Sequence, residues 1–133
     1  MSGPIVFDQK IDLPYQYTVG AAQRAFLRGL TEGKLLASTG GGERYVPARP
    51  FAPDGRRLEG LEEVAPRGRV LAATTARHLE GAPVFGLVLI EGAAVPMLHR
   101  LDEEYEAGTA VEAVFEEGAE PSILALRCFR RAR

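Results

Sequence analysis

After residue 60 the sequence becomes a series of short apolar segments, each ended by glycine, proline or acidic residues. One segment, 84–90, is almost entirely apolar, as in a strand that is buried on both faces. Another, 109–116, alternates apolar and acidic residues, as in a strand with one solvated face. The segments predicted as strands are 68–79, 84–90, 94–101, 109–116 and 123–130. Five such strands separated by tight turns predict a mainly β chain that ends in a small Greek-key barrel of the OB type.

A single helix is predicted ahead of the strands, from Thr18 to Glu32, and an extended arm precedes it. Ala22, Phe26 and Leu30 recur at four-residue spacing on one face of this helix. Gly33 follows the last apolar turn, where helices commonly end in a left-handed glycine. The face that carries Phe26 and Leu30 either packs on its own domain or binds a partner protein, and the sequence leaves both interpretations open.

Residues 34–58, between the helix and the barrel strands, carry two glycine-containing turns joined by the short strand Arg44-Tyr45-Val46 and a proline-rich turn. This frame resembles a rubredoxin-like zinc ribbon, in which a Cys-x-x-Cys pair at each turn holds the metal. None of the corresponding ligand positions is a cysteine. These four positions are Ser38, Gly41, Ala52 and Gly55. We therefore expect a degenerate ribbon without metal, and no stoichiometric zinc.

The ribbon frame and the strands that follow it resemble the accessory proteins that join a rubredoxin-like zinc ribbon to an OB-fold and associate with thiolases and related acyl-CoA enzymes. The resemblance runs from Tyr17 to Phe129 and rests on short segments in a fixed order. These are Gly33-Lys34-Leu35, Val46 to Phe51, Gly68-Arg69-Val70, Leu98-His99-Arg100 and Gly108 to Val111. The resemblance implies an N-terminal arm and helix at 1–33, a degenerate ribbon at 34–58 and an OB-fold domain at 59–133.

The sequence offers few side chains for catalysis. His78 and His99 are the only histidines, and no obvious nucleophile stands beside either, so a Ser-His-Asp triad is not expected. The one cysteine, Cys128, lies in an apolar strand pattern that is typical of a small buried residue. The glycines at 40–42 lack the lysine and hydroxyl residue that complete a phosphate-binding loop. We therefore expect a protein that is not itself an enzyme.

Arginines and aromatic residues alternate within the ribbon segment. Arginine forks pair with phosphates and flat groups stack on adenine, so such a cluster could hold the nucleotide end of coenzyme A. The resemblance to proteins associated with acyl-CoA enzymes makes this a candidate site, and the alternative is a set of solvated arginines. The candidate residues are Arg44, Tyr45, Arg49, Phe51, Arg56 and Arg57. No cofactor is expected to bind stoichiometrically, and coenzyme A or acyl-CoA would occupy a site shared with a partner.

The resemblance implies a non-catalytic accessory subunit of a thiolase-like or other acyl-CoA-processing enzyme. Such a subunit would support its partner and help to bind or channel acyl-CoA, and the catalytic residues would lie on the partner. The residues expected at the partner interface are Phe26, Leu30, His99 and Arg100.

Two other functions are considered from the residues. An OB module could bind single-stranded nucleic acid, but such modules need exposed aromatic residues and a basic groove. The barrel segment has few aromatic residues, and eight acidic residues fall between 102 and 120, which disfavours nucleic acid as a partner. A free-standing acyl-CoA thioesterase of another small β-rich fold would need a long central helix, and none is evident after residue 33.

Composition bounds the location of the protein. The formal net charge is -2, so no global field draws the chain to nucleic acid. No apolar run approaches the roughly 20 residues that a membrane-spanning helix needs, so no membrane partner is expected. The N-terminus lacks the basic and apolar regions of a secretory signal, and a cytoplasmic location is therefore expected.

Overall fold

In the computed structural model of the chain, residues 14–133 are described, with side chains from residue 20 onward. The elements are helix α1 (Pro14–Thr31) and strands β1 (Leu35–Gly40), β2 (Glu43–Tyr45), β3 (Gly60–Val64), β4 (Arg67–Thr75), β5 (Val84–Ile90), β6 (Met97–Leu101), β7 (Ala110–Phe115) and β8 (Leu126–Arg131). A one-turn 3-10 helix, Ile123–Ala125, precedes β8. The extended arm expected ahead of the helix lies outside the described residues.

Strands β4 to β8 form a closed barrel in the order β4-β5-β6-β8-β7, with β7 pairing back to β4. All neighbours are antiparallel except β6 and β8, which run parallel and share the single register pair Leu101 and Phe129. This mixed five-stranded barrel is of the OB-like type. The predicted fold class, mainly β with an N-terminal helix and a five-stranded barrel, is confirmed.

Three barrel strands differ in length from their predictions, and one of them is β6, which starts at Met97 and not at Ala94. The first barrel strand was expected to reach Leu79 but ends at Thr75, because the chain turns back through a hydrogen bond from the Ala82 amide to the Leu79 carbonyl (3.0 Å). The last barrel strand was expected to start at Ile123 but starts at Leu126, because the Ser122 side chain accepts a hydrogen bond from the Leu124 amide and caps a short 3-10 turn.

The three-stranded sheet has the order β2-β1-β3 and is antiparallel throughout. Gly41 and Gly42 connect β1 to β2 with φ values of 61° and 80°, the geometry of a tight hairpin that favours glycine at both positions. Strand β3 lies in the segment that was predicted as barrel domain, beginning at 59, but its hydrogen bonds join it to β1. The strands of the two sheets therefore divide between 64 and 67.

Helix α1 ends as the sequence predicts, at a left-handed Gly33 with φ 73°. The Lys34 amide donates to the Gly29 carbonyl (2.9 Å) and the Gly33 amide donates to the Leu30 carbonyl (3.1 Å), which is the Schellman pattern. The helix starts at Pro14, ahead of the predicted Thr18. Proline is favoured in a first helical turn because the amide hydrogen that it lacks would have no partner there.

One continuous core joins the helix, the three-stranded sheet and the barrel. Phe26 and Leu30 of α1 pack into it with Leu35 and Ala37 of β1, and barrel residues such as Phe129 complete it. A smaller cluster holds the turn at 52–58 against the sheet. It consists of Tyr45, Ala52 and Leu58, with the partly buried Val95 of the β5–β6 connection. The three-stranded sheet is therefore stabilised by burial shared with the barrel.

Gly68 pairs with residues of both barrel neighbours of β4, Ile90 of β5 and Val111 of β7. A Cβ atom at this position would overlap the carbonyl oxygen of Leu89 and lie 2.8 Å from the Cα atom of Ile90. Both are backbone atoms of the barrel, so they cannot move aside as a flexible side chain can.

We predict that Gly68→Ala lowers the free energy of unfolding by about 2 to 3 kcal/mol, because the added methyl group forces strands apart. The matched control is Gly20→Ala on α1, where a Cβ atom would meet only Arg24 at 3.4 Å. That change should be neutral or stabilise by about 0.5 to 1 kcal/mol, as expected for alanine in a helix. Urea unfolding of both variants checks this, and a stable Gly68→Ala protein would contradict it.

Candidate protein-binding surface

The four positions that the resemblance compares with zinc ligands have contacts of other kinds. Ser38 is 1% exposed, and its hydroxyl donates to the Arg49 carbonyl (2.6 Å) and accepts from the Arg49 amide (2.7 Å). This pair of bonds links β1 to the chain that enters the second turn. In that turn the Gly55 amide donates to the Ala52 carbonyl (2.9 Å), and the Ala52 side chain is buried beside Tyr45. Hydrogen bonds and apolar packing thus hold both turns.

Arg56 occupies the space beside the remaining ligand position, Gly41. A Cβ atom at Gly41 would overlap the Nη1 atom of Arg56. Arg56 donates through Nη2 to Glu43 (3.3 Å) and to the Tyr45 hydroxyl (3.4 Å), and Tyr45 in turn donates to Glu43 (2.6 Å). The hydrogen bond from Tyr45, and after it the one from Arg56, lower the pKa of Glu43. The hydrogen bonds and the ion pair between Arg56 and Glu43 therefore connect the β1–β2 turn to the turn at 52–58.

The arginines that were predicted to bind the nucleotide end of coenzyme A have partners within the chain. Arg44 pairs with Glu62 through two hydrogen bonds of 3.0 and 3.2 Å. Arg56 pairs with Glu43 as described, and Arg57 lies 3.9 Å from Glu59. Arg49 contributes its backbone atoms to the bonds with Ser38, and Phe51 is half-buried in a bridge with Arg57. The segment is therefore a set of ion pairs, several of them exposed to solvent.

Two of the residues expected at a partner interface are buried inside this chain. Phe26 is 3% exposed and Leu30 is 0% exposed, and both belong to the common core. Of the two interpretations left open for this helix face, internal packing is correct. The structure therefore removes Phe26 and Leu30 from the interface prediction.

His99 contributes to barrel closure. Its ring contacts Phe129 edge to face, with centroids 5.9 Å apart, and its Nε2 atom donates to the Leu126 carbonyl (2.7 Å). This bond spans β6 and β8, the strands that share only one register pair. Burial lowers the pKa of His99 below its ordinary value, the hydrogen bond to Leu126 raises it, and Arg100 lowers it further. The half-buried ring is therefore neutral near pH 7.

Arg100 alternates outward on β6, where it lies near a group of exposed apolar side chains. We call this group the apolar face. It consists of Leu87 on β5, Leu98 on β6, and Ile123 and Leu124 on the 3-10 turn, together with the half-buried Phe85 on β5. Leu98 is 67% exposed and Leu124 is 78% exposed. Pairing of Leu87 with Leu98 and of Phe85 with Arg100 places these side chains on one outer surface of the barrel.

A hollow of about 450 Å³ lies on this surface, between the β5–β6 pair and the 3-10 turn. Leu98, Ile123 and Leu124 line it, and Arg100 and Arg127 stand at its edge. A second hollow of about 280 Å³ is lined by Leu27 of α1, Pro47 and the same Ile123. Because both hollows share Ile123, apolar surface extends from the barrel towards the helix.

Sequence reasoning missed most of the apolar face. The alternation along β6 could have predicted part of it. Met97, His99 and Leu101 point inward, so Leu98 and Arg100 must point outward. Ile123 and Leu124 could not be recognised in this way, because the segment was predicted as strand and forms a 3-10 turn instead.

Among the side chains that the structure describes, no three or more of His, Cys, Asp and Glu are placed together to hold a metal ion. In the same part of the chain, no helix has the length and apolar character that crossing a membrane requires.

Comparison with solved structures shows a likeness of fold. The chain is similar to the crystal structure of a protein of unknown function from the DUF35 family of Sulfolobus solfataricus, with a TM-score of 0.60 and 20% sequence identity. The similarity covers 75% of this chain and 81% of that one. At this identity the likeness concerns the fold alone. Neither a protein-family model nor a curated protein sequence matches the chain.

We predict that Ser38→Ala lowers the free energy of unfolding by about 1 to 3 kcal/mol, because it leaves a backbone donor and acceptor of Arg49 without their partner. The control is Thr74→Ala, which removes an exposed hydroxyl from β4 and should cost less than about 0.5 kcal/mol. Urea unfolding monitored by circular dichroism measures both. Equal stability of the two variants would show that the Ser38 bonds contribute nothing net.

His99 predicts a pH dependence of stability. Because its pKa is lower in the folded chain than in the unfolded chain, the unfolded chain binds more protons as the pH falls below about 6.5. The contribution of His99 to the free energy of unfolding should therefore be constant above that pH and decrease below it. We expect His99→Gln to flatten this decrease, measured by urea unfolding between about pH 8 and pH 5. An unchanged slope in the variant would assign the effect to carboxylates.

Proposed function

We propose that this protein is a non-catalytic accessory subunit of a thiolase-like or other acyl-CoA-processing enzyme, which it binds through the apolar face. The observation that carries the proposal is the exposure of Leu98 and Leu124 side by side on the barrel. Contiguous exposed apolar surface rimmed by polar residues is typical of protein-binding sites. Here Arg100 and Arg127 supply the polar rim.

The same surface is suited to a folded partner protein. Interfaces concentrate binding energy in a few apolar anchors that are buried by the partner, surrounded by residues that exclude water. Leu98 and Leu124 line one hollow, so a single inserted side chain of the partner would contact both. The hollow rests on barrel strands, and a rigid support of this kind reduces the entropy that binding loses.

The choice of an acyl-CoA enzyme as partner rests on the resemblance of the ordered sequence segments to accessory proteins of such enzymes. The likeness of fold to a DUF35 protein is compatible with it. Catalysis is assigned to the partner because the reactive side chains here are not activated. His99 is held by the Leu126 carbonyl, and burial raises the pKa of the Cys128 thiol. A thiol with a raised pKa is a poor nucleophile at neutral pH.

Help in binding acyl-CoA is part of the proposal. The ion pairs of Arg44 and Arg56 are exposed, and exposed pairs exchange partners readily in water. In a complex, these arginines could turn from their glutamates to the phosphates of coenzyme A. The degenerate ribbon would then retain a surface role at 34–58 after the loss of its metal ligands.

The proposal is tested by purifying the tagged chain from its native host and identifying what accompanies it by mass spectrometry. We expect an acyl-CoA enzyme to be recovered in near-stoichiometric amount with the tagged chain, whether or not nucleic acid is removed. A chain that elutes alone, or with nucleic acid, would contradict the proposal.

The binding surface is tested with the enzyme recovered in this way. We expect the double variant Leu98→Glu, Leu124→Glu to weaken binding at least about thirtyfold in calorimetry, because it places two charges in an apolar interface. The matched control is Leu79→Glu, a change of the same chemistry at a residue that is 47% exposed on the turn after β4. Equal affinity of the double variant and the control would exclude the apolar face as the contact.

A further inference from the structure

A cleft of about 380 Å³ lies where β6 meets β8, on the other side of Arg100 and Arg127 from the apolar face. We call it the arginine cleft. It is lined by Arg100, Leu101, Asp102, Val114, Arg127, Cys128 and Arg130. The two strands share the single register pair Leu101 and Phe129, and the Asp102 amide donates to the Phe129 carbonyl (3.2 Å). The lining is basic in a chain whose net charge is negative.

We propose that the arginine cleft binds a phosphate-bearing small molecule. Three arginines from two strands line this one cleft, together with a single carboxylate. That carboxylate, Asp102, already accepts a hydrogen bond from the Tyr105 hydroxyl (2.6 Å). Guanidinium groups pair with phosphate oxygens through two parallel hydrogen bonds, which makes arginine the usual residue for this ligand class.

The three arginines differ in how firmly they are held. Arg130 is fixed by Glu112, with two nitrogen atoms each 3.0 Å from the same carboxylate oxygen. Arg127 lies 3.9 Å from Glu116, and both side chains are more than half exposed, so this pair is weak. Within the described residues, Arg100 has neither an ion pair nor a hydrogen bond of its side chain. Arg100 and Arg127 are therefore free to close on an anion beside a fixed Arg130.

This proposal goes beyond the accessory role, because it concerns the chain alone and a different surface. Arg100 and Arg127 nevertheless border both the cleft and the apolar face. A ligand in the cleft would therefore lie at the edge of the partner interface. The phosphate group could belong to inorganic pyrophosphate or to the nucleotide part of a cofactor such as coenzyme A, and the experiment separates these sources.

The test is calorimetric titration of the full chain with pyrophosphate and, separately, with coenzyme A. We expect one site per chain for at least one of them, with affinity that falls as salt rises. Arg100→Gln and Arg127→Gln should each weaken it at least about tenfold. The control is Arg77→Gln, an exposed arginine on the turn after β4. If coenzyme A binds and pyrophosphate does not, the site recognises the nucleotide part of the cofactor. If both bind, the phosphate groups alone are sufficient for binding.

Cys128 provides an independent readout, because it is the only cysteine in the chain and lines the cleft. Bound ligand should slow its reaction with the neutral reagent N-ethylmaleimide, and Arg100→Gln should abolish this protection. The proposal is overturned if neither ligand binds, or if the Arg100, Arg127 and Arg77 variants bind alike. It is also overturned if Arg44→Gln alone abolishes binding of coenzyme A. Binding that persists in the Leu98→Glu, Leu124→Glu variant separates this site from the accessory role.

Discussion

The core that joins helix α1, the three-stranded sheet and the barrel is the constraint on which the rest of this structure depends. Small ribbon-like sheets bury little apolar surface of their own and commonly need a metal. Here the four positions that the resemblance compares with zinc ligands carry Ser38, Gly41, Ala52 and Gly55. The sheet instead places Leu35 and Ala37 in the barrel core, and the Ser38 and Arg56 networks hold its turns. The folded state of the three-stranded sheet therefore depends on its packing against the barrel.

Local sequence patterns were sufficient to predict the barrel. The features that they did not predict depend on contacts between residues distant in the sequence. Alternation and glycine turns were sufficient for the five strands, and Gly33 marked the helix end. Strand β3 was not recognised as part of the ribbon sheet, because Leu61-Glu62-Glu63 has no strong pattern and is fixed by pairing with β1. The candidate arginines at 44–57 stand close together in the sequence, but their pairing with Glu43, Glu59 and Glu62 depends on the folded sheet.

The surfaces proposed for binding lie on the barrel and meet at Arg100 and Arg127. Their origin is the same irregularity: β6 and β8 run parallel with one register pair, and the chain enters β8 through an exposed 3-10 turn. The turn presents Ile123 and Leu124, and the arginine cleft lies where β6 and β8 meet. His99 spans the junction and keeps the barrel closed there. A structural histidine thus lies beneath the residues that the proposed function needs.

The account's central claim, that the apolar face binds an acyl-CoA enzyme, is tested most directly by hydrogen exchange of the chain with and without the co-purified enzyme. The claim predicts added protection of the amides at 122–127, the 3-10 turn and the start of β8, because Ile123, Leu124 and Arg127 line the proposed contact. It also predicts unchanged exchange in the 76–83 turn. Protection that falls on the 76–83 turn and spares 122–127 would contradict the claim.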